Sequence, residues 1–233
     1  GRGMVEGMKA NQVLVPRMAG VLLASGALGF IAVFSLLAAR FGYPDVLVRP
    51  AADVLPALLA GGAGLRAVWA IYAALPLTVA VSALLVHHAL PLPKRGRRIV
   101  TAAGVIAGAA MVTGLVRWPT LQWWLAQQWS TATDAVARAA LSTRFVSYNL
   151  WLGNVVGELI GELALATWFT GVGLAIKSTW KGRATLLLAG LMFVGALRNL
   201  VPEAGLATEV TNWLLPLVMV WVGLAWALRR GHV

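Results

Sequence analysis

Six apolar stretches limit what this chain can become more than any other feature: Met18–Ala39, Leu65–Leu90, Ile99–Val116, Leu150–Ile176, Ala184–Val201 and Val210–Leu228. Each approaches the roughly 20 residues an α-helix needs to cross a hydrocarbon core about 30 Å thick. The third is short but free of charge, and the fifth carries Arg198 and Asn199 near its end. Composition agrees with a lipid-embedded chain. Charged residues make up only 12%, about half the share usual in soluble domains. Eleven Trp suit a protein anchored at two membrane interfaces better than they suit a soluble core. The first stretch is too long for the apolar part of a cleavable signal and is read as a first span. The expected fold is all-α, a polytopic transmembrane bundle of six helices forming a single integral membrane domain over residues 1–233.

The charges orient the bundle. The formal net charge is +11, but its distribution follows topology. The N-terminal tail (Arg2, Lys9, Arg17), the loop with Lys94, Arg95, Arg97 and Arg98, the loop with Lys177, Lys181 and Arg183, and the ending Arg229 and Arg230 fall on one side of a six-span chain. Together they hold twelve of the nineteen basic residues. By the positive-inside rule both termini are cytoplasmic, and nucleic-acid binding is not expected. The outer connections are longer and more irregular. Pro50 followed by "AADVLPALLA" and Gly61–Gly62 predicts a short helix. The segment with Trp118, Trp123, Trp124 and Trp129, then "TATDAVARAAL", has the composition of helices lying along the outer interface. There are no Cys, which excludes disulfides, thiolate metal sites and cysteine nucleophiles.

Against this background "GNVVGELIGEL" stands out, because it places Glu158 and Glu162 inside an apolar run. At 1.5 Å per residue they lie roughly 12 and 18 Å below the outer boundary of the fourth stretch. Such residues are costly at that depth and mark functional sites by default. On an α-helix a spacing of four puts both on one face, where they would titrate as a coupled pair. Gly153, Gly157 and Gly161 repeat beside them and offer a groove for close helix approach. Pro76, which interrupts the second stretch, lies at a depth of roughly 17 Å, near that of Glu162, and Tyr72 adds a hydroxyl at a similar height. Arg66, Arg117, Arg198, Asn149, Asn154 and Asn199 lie toward the outer boundary as charge or hydrogen-bond partners. Two readings compete. The glutamates are structural, braced by an arginine, or one of them exchanges a proton or holds a cation beside backbone freed by Pro76.

Other features carry less. His87 and His88 are adjacent, so they point about 100° apart on a helix and do not form an i, i+4 metal pair. Interfacial anchoring explains them. Ser25, Ser35, Ser82 and Thr113 lack a neighbouring base, and hydroxyls in membrane helices usually bond the preceding turn. Gly104 with Gly108, and Gly20 with Ala24, are packing faces. No phosphate-binding loop, dinucleotide fingerprint, calcium loop or zinc motif is present, so no cofactor and no metal are expected.

The segment "FGYPDVLVRP", through Phe41, Tyr43, Pro44, Val46, Leu47, Arg49 and Pro50, resembles a stretch that follows the first span in uncharacterised bacterial multi-span membrane proteins. The resemblance implies a bacterial inner-membrane setting and no particular activity.

The leading expectation is a small transporter or permeation protein for a proton, cation or small solute, with Glu162 exchanging, Glu158 coupled to it, and Tyr72 and Pro76 forming the wall. The alternative is a non-catalytic scaffold or accessory subunit holding a membrane partner protein, a second copy or membrane lipid. A membrane enzyme is the weakest reading, since no nucleophile–base set is visible.

Overall fold

The computed structural model describes residues 2–198 and 201–228, and among these it is helical without strands. Five helical stretches are long and apolar enough to cross a membrane: Leu14–Phe41, Gly62–Leu85, Lys94–Thr131, Ala135–Ala175 and Gly205–Ala227. The protein is therefore a multi-span membrane protein by helix length and hydropathy. The expected fifth span, Ala184–Val201, is represented by a helix of 16 residues, Trp180–Gly195. The helix ends at Gly195, residues 196–198 form turns, and Asn199 and Leu200 lie outside the described residues.

In chain order the α-helices are α1 (Arg2–Phe41), α2 (Ala51–Ala60), α3 (Gly62–Ala74), α4 (Leu77–Leu85), α5 (Lys94–Val116), α6 (Trp123–Thr131), α7 (Ala135–Tyr148), α8 (Gly161–Ala175), α9 (Trp180–Gly195) and α10 (Gly205–Ala227). Two π-helical segments interrupt them, Trp118–Gln122 between α5 and α6, and Asn149–Ile160 between α7 and α8. Local chemistry sets several boundaries. Pro50 caps α2, which ends at Gly61, and Gly62 takes a positive φ of 63° that favours glycine. Pro76 separates α3 from α4 because it has no N–H to give to the preceding turn. Asp134 accepts from the Ala137 amide at 2.7 Å and starts α7, and Thr179 does the same for α9 through Gly182.

The chain groups into two compact units. The first comprises residues 1–29, 76–109 and 161–233. Small residues bring its helices together. A methyl group on Gly223 would sit 2.6 Å from the Gly20 carbonyl oxygen of α1, and one on Gly108 would sit 2.9 Å from the Pro76 carbonyl oxygen. The small-residue faces expected at Gly20/Ala24 and at Gly108 are thus backbone approaches, while Gly104 makes room for the Ala83 and Trp168 side chains. Ser25 and Ser35 bond carbonyls of their own helix, as expected. Ser82 departs from that pattern: fully buried, it donates 3.0 Å across to the Ala19 carbonyl of α1.

The second unit comprises residues 30–75 and 110–160. Its core is aromatic, built from Phe41, Trp69, Tyr72, Trp118 and Phe145. Trp69 and Trp118 stack at 4.6 Å. Here the expected interface helix takes another form. The segment from Trp118 continues the α5 stretch as far as Thr131, and Trp118 and Trp123 are buried against protein. Composition alone cannot separate an indole at the headgroup level from one stacked on another indole. Trp124, 42% exposed, and Trp151, 62% exposed, remain outward.

The glycines beside the glutamates also find their neighbour in this unit. A methyl group on Gly114 of α5 would lie 2.8 Å from the Gly157 Cα and 3.0 Å from the Leu152 carbonyl oxygen. Both contacts are backbone, so neither side can yield by changing a rotamer. Gly114→Val is expected to cost about 1–3 kcal/mol through forced separation. Thermal melting in detergent checks this, and a variant melting with the wild type would contradict the close seam.

Candidate functional site

Two arginines organise the buried polar chemistry, one in each unit. Both stand just past the C-terminal end of an α-helix, where backbone carbonyls lack helical donors and the helix dipole favours a cation. Both fold back onto a glycine carbonyl three residues earlier, Arg117 onto Gly114 and Arg198 onto Gly195.

Arg198 forms an ion pair with Glu162, its Nη1 lying 2.6 Å from the carboxylate Oε2. The same nitrogen donates to the Gly195 carbonyl at 3.1 Å and reaches the Thr208 hydroxyl at 3.5 Å. Thr208, in the first turn of α10, itself donates to the Gly195 carbonyl at 3.1 Å. A methyl group on Gly195 would lie 2.7 Å from the Thr208 oxygen, so the absence of a side chain there is what lets α9 and α10 share this knot. The pair is not sealed: the two side chains are 19% and 24% exposed.

Arg117 is only 5% exposed. Its Nε donates to the Asn149 Oδ1 at 3.1 Å, and the Gln122 amide donates to the same oxygen at 3.0 Å. The guanidinium lies 5.4 Å from the Trp118 ring centroid. A methyl group on Gly153 would stand 2.8 Å from its terminal nitrogen, so the chain leaves that position bare for the arginine. Glu158 and Tyr43 both act electrostatically on the Arg117 charge. The network joins the two π-helical segments, with Arg117 preceding one and Asn149 opening the other. A π-helix bonds i→i+5 and is frequent at functional sites.

Glu162 therefore has its own arginine, and the Glu158 charge acts on Arg117. Glu158 stands on π-helical backbone and Glu162 in the first turn of α8. Of the other expected site residues, Tyr72 is packed in the aromatic core against Phe30, Tyr43 and Trp69. Pro76 lies at the α3–α4 break with its carbonyl facing Gly108. Arg66 donates through Nε to the Pro119 carbonyl at 2.9 Å and lies over Trp123 at 5.2 Å. Asn154 is half-buried on the second π-helical segment. Asn199 lies outside the described residues.

Sequence reasoning missed Gly114, Asn149 as the hub, Gln122, Gly195 and Thr208. A signal was present: "GLVR" at 114–117 and "GALR" at 195–198 repeat a glycine three residues before an arginine, and "GEL" occurs at both 157–159 and 161–163. It also missed that arginines and tryptophans pair around α6 and α7, as Arg138 does with Trp129 at 5.7 Å and Arg144 with Trp124 at 6.0 Å. His87 and His88 follow α4 in a turn, and the His87 Nδ1 is 2.7 Å from the Thr101 hydroxyl. Desolvation, then His88, Arg97 and Arg98, pull His87 below the usual histidine value.

No protein-family model, curated protein or solved structure matches this chain.

Proposed function

We propose that this protein is a small transport or permeation protein for a proton, a cation or a small solute, in which Glu162 and Arg198 form an exchangeable ion pair. The observation that carries the reading is the set of acceptors around Arg198. Releasing Glu162 leaves the guanidinium the Gly195 carbonyl and the Thr208 hydroxyl, so a proton or cation can take the carboxylate without stranding a bare cation. An unpaired buried charge is otherwise the large cost of opening such a pair. The partial exposure of both side chains supports access to an exchanging species. Arg117, almost fully enclosed and held by Asn149 and the Gly114 carbonyl, is the fixed counterpart.

In this reading α9 is the fifth of six crossings, both termini are cytoplasmic, and α2 and α7 line the outer interface of a bacterial inner membrane. Purified protein reconstituted into liposomes is expected to dissipate an imposed pH or cation gradient, and Glu162→Gln to abolish that flux while keeping the fold. Absence of any flux from the wild type under proton, sodium and potassium gradients would remove the transport reading.

One observation favours a second reading, a scaffold or accessory subunit. The Gly114–Gly157 and Gly20–Gly223 approaches are the devices of a rigid bundle, and in that case Glu162–Arg198 is a permanent brace. Co-purification of a stoichiometric membrane partner in mild detergent would move the balance toward it.

A further inference from the structure

A groove on the second unit is lined by Ala63, Arg66, Ala67, Ala70, Val116 and Pro119, with Thr120 closing one end. Two helices of the membrane-crossing set form it, α3 on one side and the end of α5 with the first π-helical segment on the other. On α3 the lining positions other than Arg66 are alanines, whose small side chains leave a shallow, open trough. Ala67, Ala70 and Val116 are exposed along it.

Arg66 gives the groove a chemical preference. Its Nε is fixed on the Pro119 carbonyl at 2.9 Å and its guanidinium lies over the Trp123 ring at 5.2 Å. Those contacts hold a planar fork in one place. Among the described residues no carboxylate pairs with it, and its two terminal nitrogens make no hydrogen bond to protein. A guanidinium held by one edge and one face presents its remaining donors as a pair matched to two oxygens of a phosphate. Arg66 stands four residues into the Gly62–Leu85 stretch, about 6 Å along the helix from its end. With the membrane boundary taken at the start of that stretch, Arg66 stands at headgroup level, and Ala70 lies about 6 Å further toward the hydrocarbon.

We infer that this groove binds a glycerophospholipid, with the phosphodiester on the Arg66 fork and an acyl chain lying along Ala67 and Ala70. The site is independent of the Glu162–Arg198 pair. The occupant follows from the two halves of the groove together: a cation without a protein counter-ion at the headgroup level, and an apolar trough running from it into the membrane.

The test is a binding titration followed by native mass spectrometry, using the chain purified in mild detergent. The probes are dioleoyl phosphatidylglycerol, dioleoylglycerol without phosphate, and glycerophosphoglycerol without acyl chains. Only the first is expected to bind tightly. Arg66→Gln is expected to weaken it about tenfold or more, the loss typical of a charge-assisted hydrogen-bond pair. Ala67→Phe, which fills the trough and leaves every Arg66 contact in place, is expected to weaken it to a similar degree. Should Arg66→Gln fail to fold, Arg66→Lys, which keeps charge without the fork, takes its place and is expected to bind less tightly than wild type. Equal binding of dioleoylglycerol, tight binding of glycerophosphoglycerol, or unchanged phosphatidylglycerol binding in either variant would overturn the inference.

Discussion

Arg117→Met is expected to destabilise the protein by roughly 3–5 kcal/mol, the cost of removing one member of a buried charged network. For a chain of this size that corresponds to a fall in melting temperature on the order of 10 °C. The reason is what the substitution leaves behind. Asn149 keeps only its bond from Gln122, the Gly114 carbonyl loses its donor, and Glu158 loses the nearby cation. Methionine matches much of the volume, so the loss is electrostatic and polar more than steric. Arg117→Lys should recover a minor part, since lysine restores charge but not the fork that reaches Asn149 and Gly114 together. Adding Glu158→Gln to Arg117→Met should recover more, because it removes the negative charge whose attraction to Arg117 is lost. Melting curves of the three variants in one detergent decide the matter. A single variant melting within a degree or two of wild type would mean that the Arg117 network does not hold this unit together.

The second large effect concerns Glu162 and Arg198. A double-mutant cycle with Glu162→Gln and Arg198→Met is expected to give a coupling of about 1–3 kcal/mol, within the range for residues sharing one ion-pair network. The two single variants should be unequal. Glu162→Gln leaves Arg198 with the Gly195 carbonyl and the Thr208 hydroxyl, and glutamine can still accept from it. Arg198→Met removes a cation from the end of α9 and takes a donor from the Gly195 carbonyl as well. Arg198→Met is therefore the more damaging. The reverse order, or a coupling near zero, would remove the acceptor set that makes this pair exchangeable. Flux through reconstituted protein then separates a brace from a working site, because a brace changes melting without changing any gradient.

Much of the architecture was legible because membrane insertion obeys a simple length rule. Met18–Ala39, Leu65–Leu90 and Val210–Leu228 correspond closely to Leu14–Phe41, Gly62–Leu85 and Gly205–Ala227. Pro76, Pro50 and the Gly61–Gly62 pair mark helix boundaries where backbone chemistry requires them. The third stretch was read too short at its end and the fourth at its start, because helix extends through Trp118–Thr131 and Ala135–Tyr148, where the apolar pattern is weak. Aromatic stacking of Trp118 on Trp69, and not hydropathy, holds that extension. Arg117 and Arg198 were legible as partners for intramembrane acids, since a charge at that depth needs one. Which arginine meets which acid was not, because depth gives height along a helix and says nothing of rotation around it.

By itself the sequence determined that the chain lives in a membrane, where its helices break, which faces are small enough for backbone contact, and that two carboxylates require compensation. Those properties follow from local terms: transfer cost per residue, the missing N–H of proline and the missing side chain of glycine. Only the tertiary structure decided that Arg198 goes to Glu162, that Asn149 gathers Arg117 and Gln122, that Tyr72 joins an aromatic core, and that the Arg66 terminal nitrogens find no partner among the described residues. Each of those depends on how one helix is rotated against another. That rotation is set by the summed packing of side chains far apart in the chain, which no local pattern contains.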